Sequence, residues 1–229
     1  MALSQAAFRT APMLGGAAHR GPAEMETLVG IGVTIQAAAG QTIVLEGDPC
    51  SHCFRVLSGA VRLHKGTADG RRQLIDFLVA GDCFGLIGSH HSYGVEAITQ
   101  STLVKASRAA LAGEMRERPG IAERLVEHAA AELARAHEHM LLLGRKNAQE
   151  KVASLLVDLA RRLGADSTRP AFRLPISRQE MADQLGLTID TVRRTMTRLK
   201  QEGFIALPTS HDVVLTRPAQ LAELAEGMA

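Results

Sequence analysis

The chain has no run approaching the roughly 18 uninterrupted apolar residues that a membrane-spanning helix requires, so a helical span is not expected. Its opening residues, MALSQAAFRTAPMLGGAAHRGPAE, contain no continuous apolar core and a single early Arg, and do not read as a secretory signal. Cysteine is scarce, with three in 229 residues and none before Cys50. A chain without a secretory signal is expected in the cytoplasm, whose reducing conditions argue against structural disulfides. Neither sign of charge dominates, with 26 Lys/Arg against 24 Asp/Glu and a net charge of +2, so bulk charge alone points to no partner. What is present, 46% hydrophobic and 22% charged residues, describes a folded chain long enough for two modest domains.

The charge is unevenly placed. Between Arg145 and Leu207 stand twelve Lys/Arg and seven Asp/Glu, a surplus of five, which leaves the remainder at net −3. A basic C-terminal module on a mildly acidic body is the electrostatic pattern of a DNA-binding unit.

Four segments follow from local pattern. Residues 1–25 are rich in Ala, Gly and Pro without periodicity, and poor order is expected there. Residues 26–118 hold short β-type runs: Thr42–Leu45, Phe54–Leu57, Val61–His64, Gln73–Leu78 and Leu103–Ala106. Gly40, Gly47, Gly59, Gly70 and Gly81 punctuate them, as in antiparallel strands joined by turns, and the expected architecture is an antiparallel β-roll of jelly-roll type. Residues 119–145 switch to helical period. Ala122, Val126, Ala129, Leu133, Ala136, Met140 and Leu143 recur at steps of four and three, a heptad seam whose small alanines permit close approach of a second helix. A homodimer contact through Val126, Ala129, Leu133, Ala136, Met140 and Leu143 is the favoured reading, and packing of one helix on its own domain is the alternative. Gly144–Asn147 is expected to break the run.

Residues 146–229 form the last segment. An amphipathic helix carrying Val152, Leu155, Leu156, Leu159 and Leu163 ends at Gly164, and Ala165–Pro170 reads as a loop. In Ile176–Gly203, ISRQEMADQLGLTIDTVRRTMTRLKQEG, Ser177 and Glu180 form a capping box that starts a helix with Met181, Ala182 and Leu185 on its core face. Gly186 supplies a tight turn, and Thr188 can cap a second helix whose Ile189, Val192, Met196 and Leu199 face inward. This is the helix-turn-helix pattern, and Phe204–Leu207, a Pro208–Asp212 turn and Val213–Leu215 add the hairpin of a winged helix. The candidate DNA contacts are Ser177, Arg178, Gln179, Thr188, Ile189, Asp190, Thr191, Arg193, Arg194, Thr197 and Arg198. Arg offers a bidentate fork to guanine, a carboxylate accepts from cytosine, and Ser, Thr and the remaining cations hold phosphates. Two ordinary helices with a solvated basic face are the bland alternative, which the joint presence of cap, turn, core spacing and wing disfavours.

These motifs resemble the Crp/Fnr family of transcription regulators, and specifically its FixK-like branch, over about residues 32–220. GRRQLIDFLVAGDCFG (Gly70–Gly85) is similar to the family's β-roll signature. ARAHEHMLLLGRKNAQEKVASLL (Ala134–Leu156) resembles its dimer helix and following helix, and SRQEMADQLGLTIDTVRRTMTRL its DNA-reading motif. The resemblance implies an α+β protein with a cyclic-nucleotide-binding-like β-roll, a long dimerisation helix and a C-terminal winged helix. It implies a homodimer bound at pseudo-palindromic promoter DNA with RNA polymerase as a further partner, and an activator of microaerobic, denitrification or nitrogen-fixation genes without catalytic residues. By position, Arg194 matches the family's guanine-reading Arg, Asp190 stands where a Glu is usual, and Arg193 replaces a small residue. The phosphate-binding Gly-Glu-Leu and Arg-Ser/Thr of cyclic AMP binders are replaced by Phe84–Gly88 and Ser92-Tyr93-Gly94, which removes the Arg counter-ion and the ribose-binding Glu. The N-terminal cysteine cluster of the Fnr iron–sulfur branch is missing.

Cys50-Ser51-His52-Cys53 is a C-x-x-C, with Cys83 on a further expected strand. No second C-x-x-C completes a zinc site, so no metal or other cofactor is expected. A dithiol oxidoreductase would place the motif at a helix N-terminus, whereas here it enters a strand. Cys50, Cys53 and Cys83 stay open as redox-responsive thiols, and the competing functional reading is a Crp/Fnr-type regulator gated by a metal, thiol oxidation or a small ligand in the β-roll. His90 and His91 read as surface loop residues, and His128, His137 and His139 as solvated or interfacial.

Overall fold

The computed structural model describes residues 26–66, 72–165 and 169–227. The expectations for residues 1–25, for Gly70 and for positions 166–168 of the Ala165–Pro170 loop lie outside these residues.

A short helix, α1 (Glu26–Ile31), leads into β1 (Val33–Ala37), β2 (Thr42–Val44), β3 (His52–Ser58), β4 (Ala60–Gly66), β5 (Arg72–Val79), β6 (Cys83–Phe84), β7 (Gly94–Ala97) and β8 (Ser101–Ser107). These strands pair antiparallel in two four-stranded sheets, ordered β1-β8-β3-β6 and β2-β7-β4-β5. The β3–β4 reversal turns on Gly59 at φ +84°, where an added Cβ would lie 2.6 Å from the Gln100 carbonyl and 2.7 Å from Ser101 Cα. Only glycine fits that approach.

The two faces of β3 explain why its apolar run is nearly continuous. Phe54 and Val56 point between the sheets, into a cluster with Val61, Leu63, Leu78, Phe84, Val95 and Leu103. Cys53 points to the other face, under Leu28, Leu111, Ile121 and Leu125. A strand covered on both sides loses its alternation of apolar and polar residues. By contrast, β7 is the tetrapeptide GVEA, unremarkable in propensity, and its Glu96 is buried because it faces Arg62 of β4.

Helix α2 (Arg108–Glu117) is capped by the Ser107 hydroxyl, which accepts from the Ala109 N–H at 3.2 Å. Helix α3 (Gly120–Arg145) follows, 26 residues and so about 39 Å long. No residue of α3 is buried. Ile121 and Leu125 touch the outer cluster of the β-roll and Leu142 touches the C-terminal core, so one edge of the helix rests on its own chain. The neighbouring stripe is open, with Val126, Leu133, Met140 and Leu143 exposed by 69%, 58%, 60% and 41%. The break expected within Gly144–Asn147 falls at Lys146–Asn147: the helix runs through Gly144 to Arg145, and the chain turns at Lys146. Asn147 then starts α4 (Ala148–Arg162) through a capping box with Glu150. A single interior glycine costs a helix only about 1 kcal/mol, less than a cap and a packed face contribute.

Beyond α4 the chain forms β9 (Ala171–Arg173), α5 (Arg178–Leu185), α6 (Ile189–Gln201), β10 (Ile205–Ala206), β11 (Asp212–Leu215) and α7 (Pro218–Ala225). The wing hairpin is shorter than its apolar run suggests, and β9 joins it in a three-stranded sheet ordered β10-β11-β9. Val152, Leu156, Leu159, Met181, Leu185, Val192, Met196, Leu199, Ile205 and Leu221 build the core, and Ala60, Phe77 and Val79 of the β-roll extend it.

Candidate nucleic-acid interface

The helix-turn-helix is assembled by local chemistry. The Ser177 hydroxyl accepts from the Glu180 N–H at 3.2 Å, and the Ser177 N–H donates to the Glu180 carboxylate at 2.8 Å, closing the capping box that begins α5. Gly186 ends α5 in the left-handed region at φ +61°, ψ 39°. Two residues later the Thr188 hydroxyl accepts from the Thr191 N–H at 3.2 Å and starts α6. Met181, Ala182 and Leu185 of α5 and Val192, Met196 and Leu199 of α6 are buried against each other, which fixes the angle between the helices. Gln184 and Thr195 are buried with them. Their polar character hid them from an apolar-periodicity reading.

The outer face of α6 carries the chemistry. Arg194 is exposed and has no ion pair or hydrogen bond within the chain among the described residues. Arg193 stands 3.6 Å from the Asp190 carboxylate, both well exposed, and Arg198 donates to Glu202 at 2.7 Å. These surface pairs contribute little to stability and exchange readily for a phosphate or a base edge. Thr197 is exposed, with its hydroxyl donating to the Arg193 carbonyl at 3.0 Å. Gln179 is exposed on α5 and bonds Asp183 at 2.8 Å.

Not every candidate stands free. Ile189 is half-buried and packs on the core. Thr188 and Thr191 share a 2.8 Å hydroxyl contact inside the cap. Arg178 is half-buried, and burial lowers its pKa. Its guanidinium donates to the Ser210 carbonyl at 3.0 Å, tying the start of α5 to the wing tip. The exposed wing residues Thr209, Ser210 and His211 therefore border the same surface. The sequence reading left them out because a polar turn carries no signal beyond its being a turn.

The β-roll interior is occupied by side chains. Phe54 and Phe84 stack at 4.7 Å between centroids and 9° between planes, with Tyr93 packed alongside. Burial pushes the Tyr93 phenol up to about 12. The loop replacing a phosphate cassette is held by the protein's own groups: Arg108 donates to the Cys50 carbonyl at 3.0 Å and to the Gly88 carbonyl. His91, expected on the surface, is buried; its backbone bridges Gly47 and Asp48, and burial lowers its ring pKa. His90 is exposed.

Cys50, Cys53 and Cys83 are all buried free thiols. Cys50 donates to the Gly85 carbonyl at 3.3 Å and Cys53 to the Ala106 carbonyl at 3.5 Å. Burial pushes Cys53 up to about 11 and Cys83 further, which disfavours the thiolate. Among the described residues no three His, Cys, Asp or Glu side chains converge as a metal-binding group. On α3, His128 is half-buried and pairs with Glu132 at 3.3 Å, while His137 is exposed. Among the described residues no helix is long and apolar enough to cross a membrane.

Residues 34–118 match the model of the cyclic nucleotide-binding domain and residues 150–224 that of the Crp-like helix-turn-helix domain. The nitrogen fixation regulation protein FixK of Rhizobium meliloti is 39% identical over 90% of this chain and 92% of its own. The transcriptional activator protein FnrL of Cereibacter sphaeroides is 39% identical over 87% of this chain and 83% of its own. Among solved structures, FixK2 from Bradyrhizobium japonicum superposes with a TM-score of 0.79 at 34% identity, covering 85% of this chain and 97% of that one. With a β-roll, a long helix and a basic winged helix in this order, the chain belongs to the Crp/Fnr family of DNA-binding transcription regulators, in its FixK-like branch.

Proposed function

We propose that the chain acts as a cytoplasmic homodimer that binds pseudo-palindromic promoter sites and recruits RNA polymerase, without catalysis. Two copies joined along α3 would present their α6 helices to successive major grooves about 34 Å apart. The open stripe of Val126, Leu133, Met140 and Leu143 supports the dimer, because four large apolar side chains on one exposed helix face call for a partner. Ala129 and Ala136 lie between them and let the helices approach. The names of two relatives, the nitrogen fixation regulation protein FixK and the transcriptional activator protein FnrL, favour activation of nitrogen-fixation genes as the output.

The observation that carries the reading is Arg194, exposed on α6 at the family's guanine-reading position and engaged with nothing among the described residues. Ser177, Arg178, Gln179, Thr188, Thr191, Arg193, Thr197 and Arg198 surround it as phosphate and base contacts, with Ile189 shaping the base of the surface. The packed Phe54–Phe84 stack and the lack of a phosphate-binding Arg argue against cyclic AMP as the effector. Arg194→Ala in a binding titration at fixed salt is the test. The expected loss is about 5- to 150-fold for the cognate site, the size of one good base contact, with random DNA little changed. Equal weakening on both would refute base reading by Arg194.

A further inference from the structure

The β-roll and the winged unit are joined covalently at one place, the turn at Lys146 between α3 and α4. A single joint leaves a unit free to swivel, yet polar ties among the described residues also connect the two. The first is Arg162, in the last turn of α4 and largely buried. It donates to the Asp82 carboxylate at 2.5 Å and to the Phe77 carbonyl at 2.9 Å, with its guanidinium 5.3 Å from the Phe77 ring centre. The second is Gln184, in the last turn of α5, which donates to Asp76 of β5 at 3.3 Å. The third is Arg62 of β4, which donates to Glu180 in the first turn of α5 at 3.2 Å while holding Glu96 at 2.5 Å.

Helix α5 is thus held at both ends, and α4 at its far end, by one β-hairpin of the same chain. Helix α6 shares a core with α5 across a three-residue turn, so it inherits that placement. Ala60, Phe77 and Val79 make the junction apolar around the ties, which strengthens charge-assisted contacts there.

We propose that Arg162, with Arg62 and Gln184, is a set of positioning residues that fixes α6 relative to the dimer axis and so sets the half-site spacing the dimer accepts. This rests on the homodimer reading above. The ties touch no DNA; they restrict swivel of each reading head, so a dimer in which they are intact tolerates one spacing and rejects its neighbours.

The test is a duplex panel containing the cognate palindrome, versions with one base pair inserted or deleted at the centre, and a single half-site. One base pair shifts a half-site by about 3.4 Å and turns it by about 34°. The full-length wild type, Arg162→Ala, Arg62→Ala and the exchanged pair Arg162→Asp with Asp82→Arg are titrated on each duplex. Wild type is expected to discriminate strongly against altered spacing. In Arg162→Ala the discrimination should shrink by on the order of ten-fold, the size of one charge-assisted hydrogen bond, with half-site affinity unchanged and partial restoration in the exchanged pair. Arg62 is a third exposed and its removal leaves the α5 cap intact, so Arg62→Ala keeps the test available if Arg162→Ala fails to fold. A wild type that discriminates while the variants discriminate equally overturns the positioning role. A wild type indifferent to spacing overturns the two-half-site reading and this proposal with it.

Discussion

Leu133 lies at the middle of α3 with 58% of its surface exposed. Fully burying a leucine contributes about 1.5–3 kcal/mol, so covering the exposed part contributes about 1–1.7 kcal/mol. Two-fold symmetry places the residue in the interface twice, and Leu133→Ala should therefore weaken the dimer by about 2–3.5 kcal/mol, or roughly 30- to 300-fold in dissociation constant. Leu133→Asp should weaken it further by setting two carboxylates against one another. Sedimentation equilibrium from nanomolar to micromolar concentration measures the constant directly. The fold of each protomer should survive, because this side chain belongs to none of the hydrophobic clusters among the described residues. Leu125→Ala is the contrasting variant: that residue faces the β-roll, so its loss should lower the melting temperature more than dimer affinity. Leu133→Ala and Leu133→Asp sedimenting as wild-type dimers at every concentration would refute the seam, as would a wild type monomeric at micromolar concentration.

Burial dominates at Asp76 and holds its carboxyl above the ordinary range, partly offset by Arg162. A raised acid costs stability when ionised, and this cost fades as pH falls through the folded-state pKa toward the unfolded value. Asp76→Asn should therefore raise stability relative to wild type most at pH 8 and least near pH 4 in urea titrations; a uniform loss at both would contradict this. Iodoacetamide at pH 8 should label Cys53 and Cys83 no faster than the native protein opens, and free-thiol rates at these positions would show that burial does not protect them. Gly186→Ala should cost about 1–2 kcal/mol, and thus a few degrees in melting temperature, through its left-handed backbone. The added Cβ itself finds ordinary contact, 3.5 Å from Leu143 Cδ2, so Gly186→Asn should cost less than Gly186→Ala.

Elements whose specification is local were legible in advance. The Ser177–Glu180 box, the Gly186 turn and the Thr188 cap each use groups within a few residues, and a helical period of buried Val192, Met196 and Leu199 needs only one chain direction to be seen. The apolar stripe of α3 was legible for the same reason, since steps of four and three place residues on one face wherever the helix lies. Elements that depend on distant partners were not. Strand β7 exists because β2 and β4 supply its hydrogen bonds, and β9 because β11 does. His91 is buried by the Asp48 loop, Cys53 and Cys83 by helices laid across the roll, and Cys50 by the loop carrying Gly85 and Ile87.

What the sequence alone determined is the set of local choices: where helices start and stop, which faces are apolar, and which helix carries an arginine-rich polar face. What only the tertiary structure decided is how those pieces meet. Arg162 and Asp82 are 80 residues apart, and Arg62 and Glu180 are 118. No periodicity links such positions, because their pairing depends on how two folded units dock, and docking is set by the shape and charge of surfaces that exist only after each unit has folded.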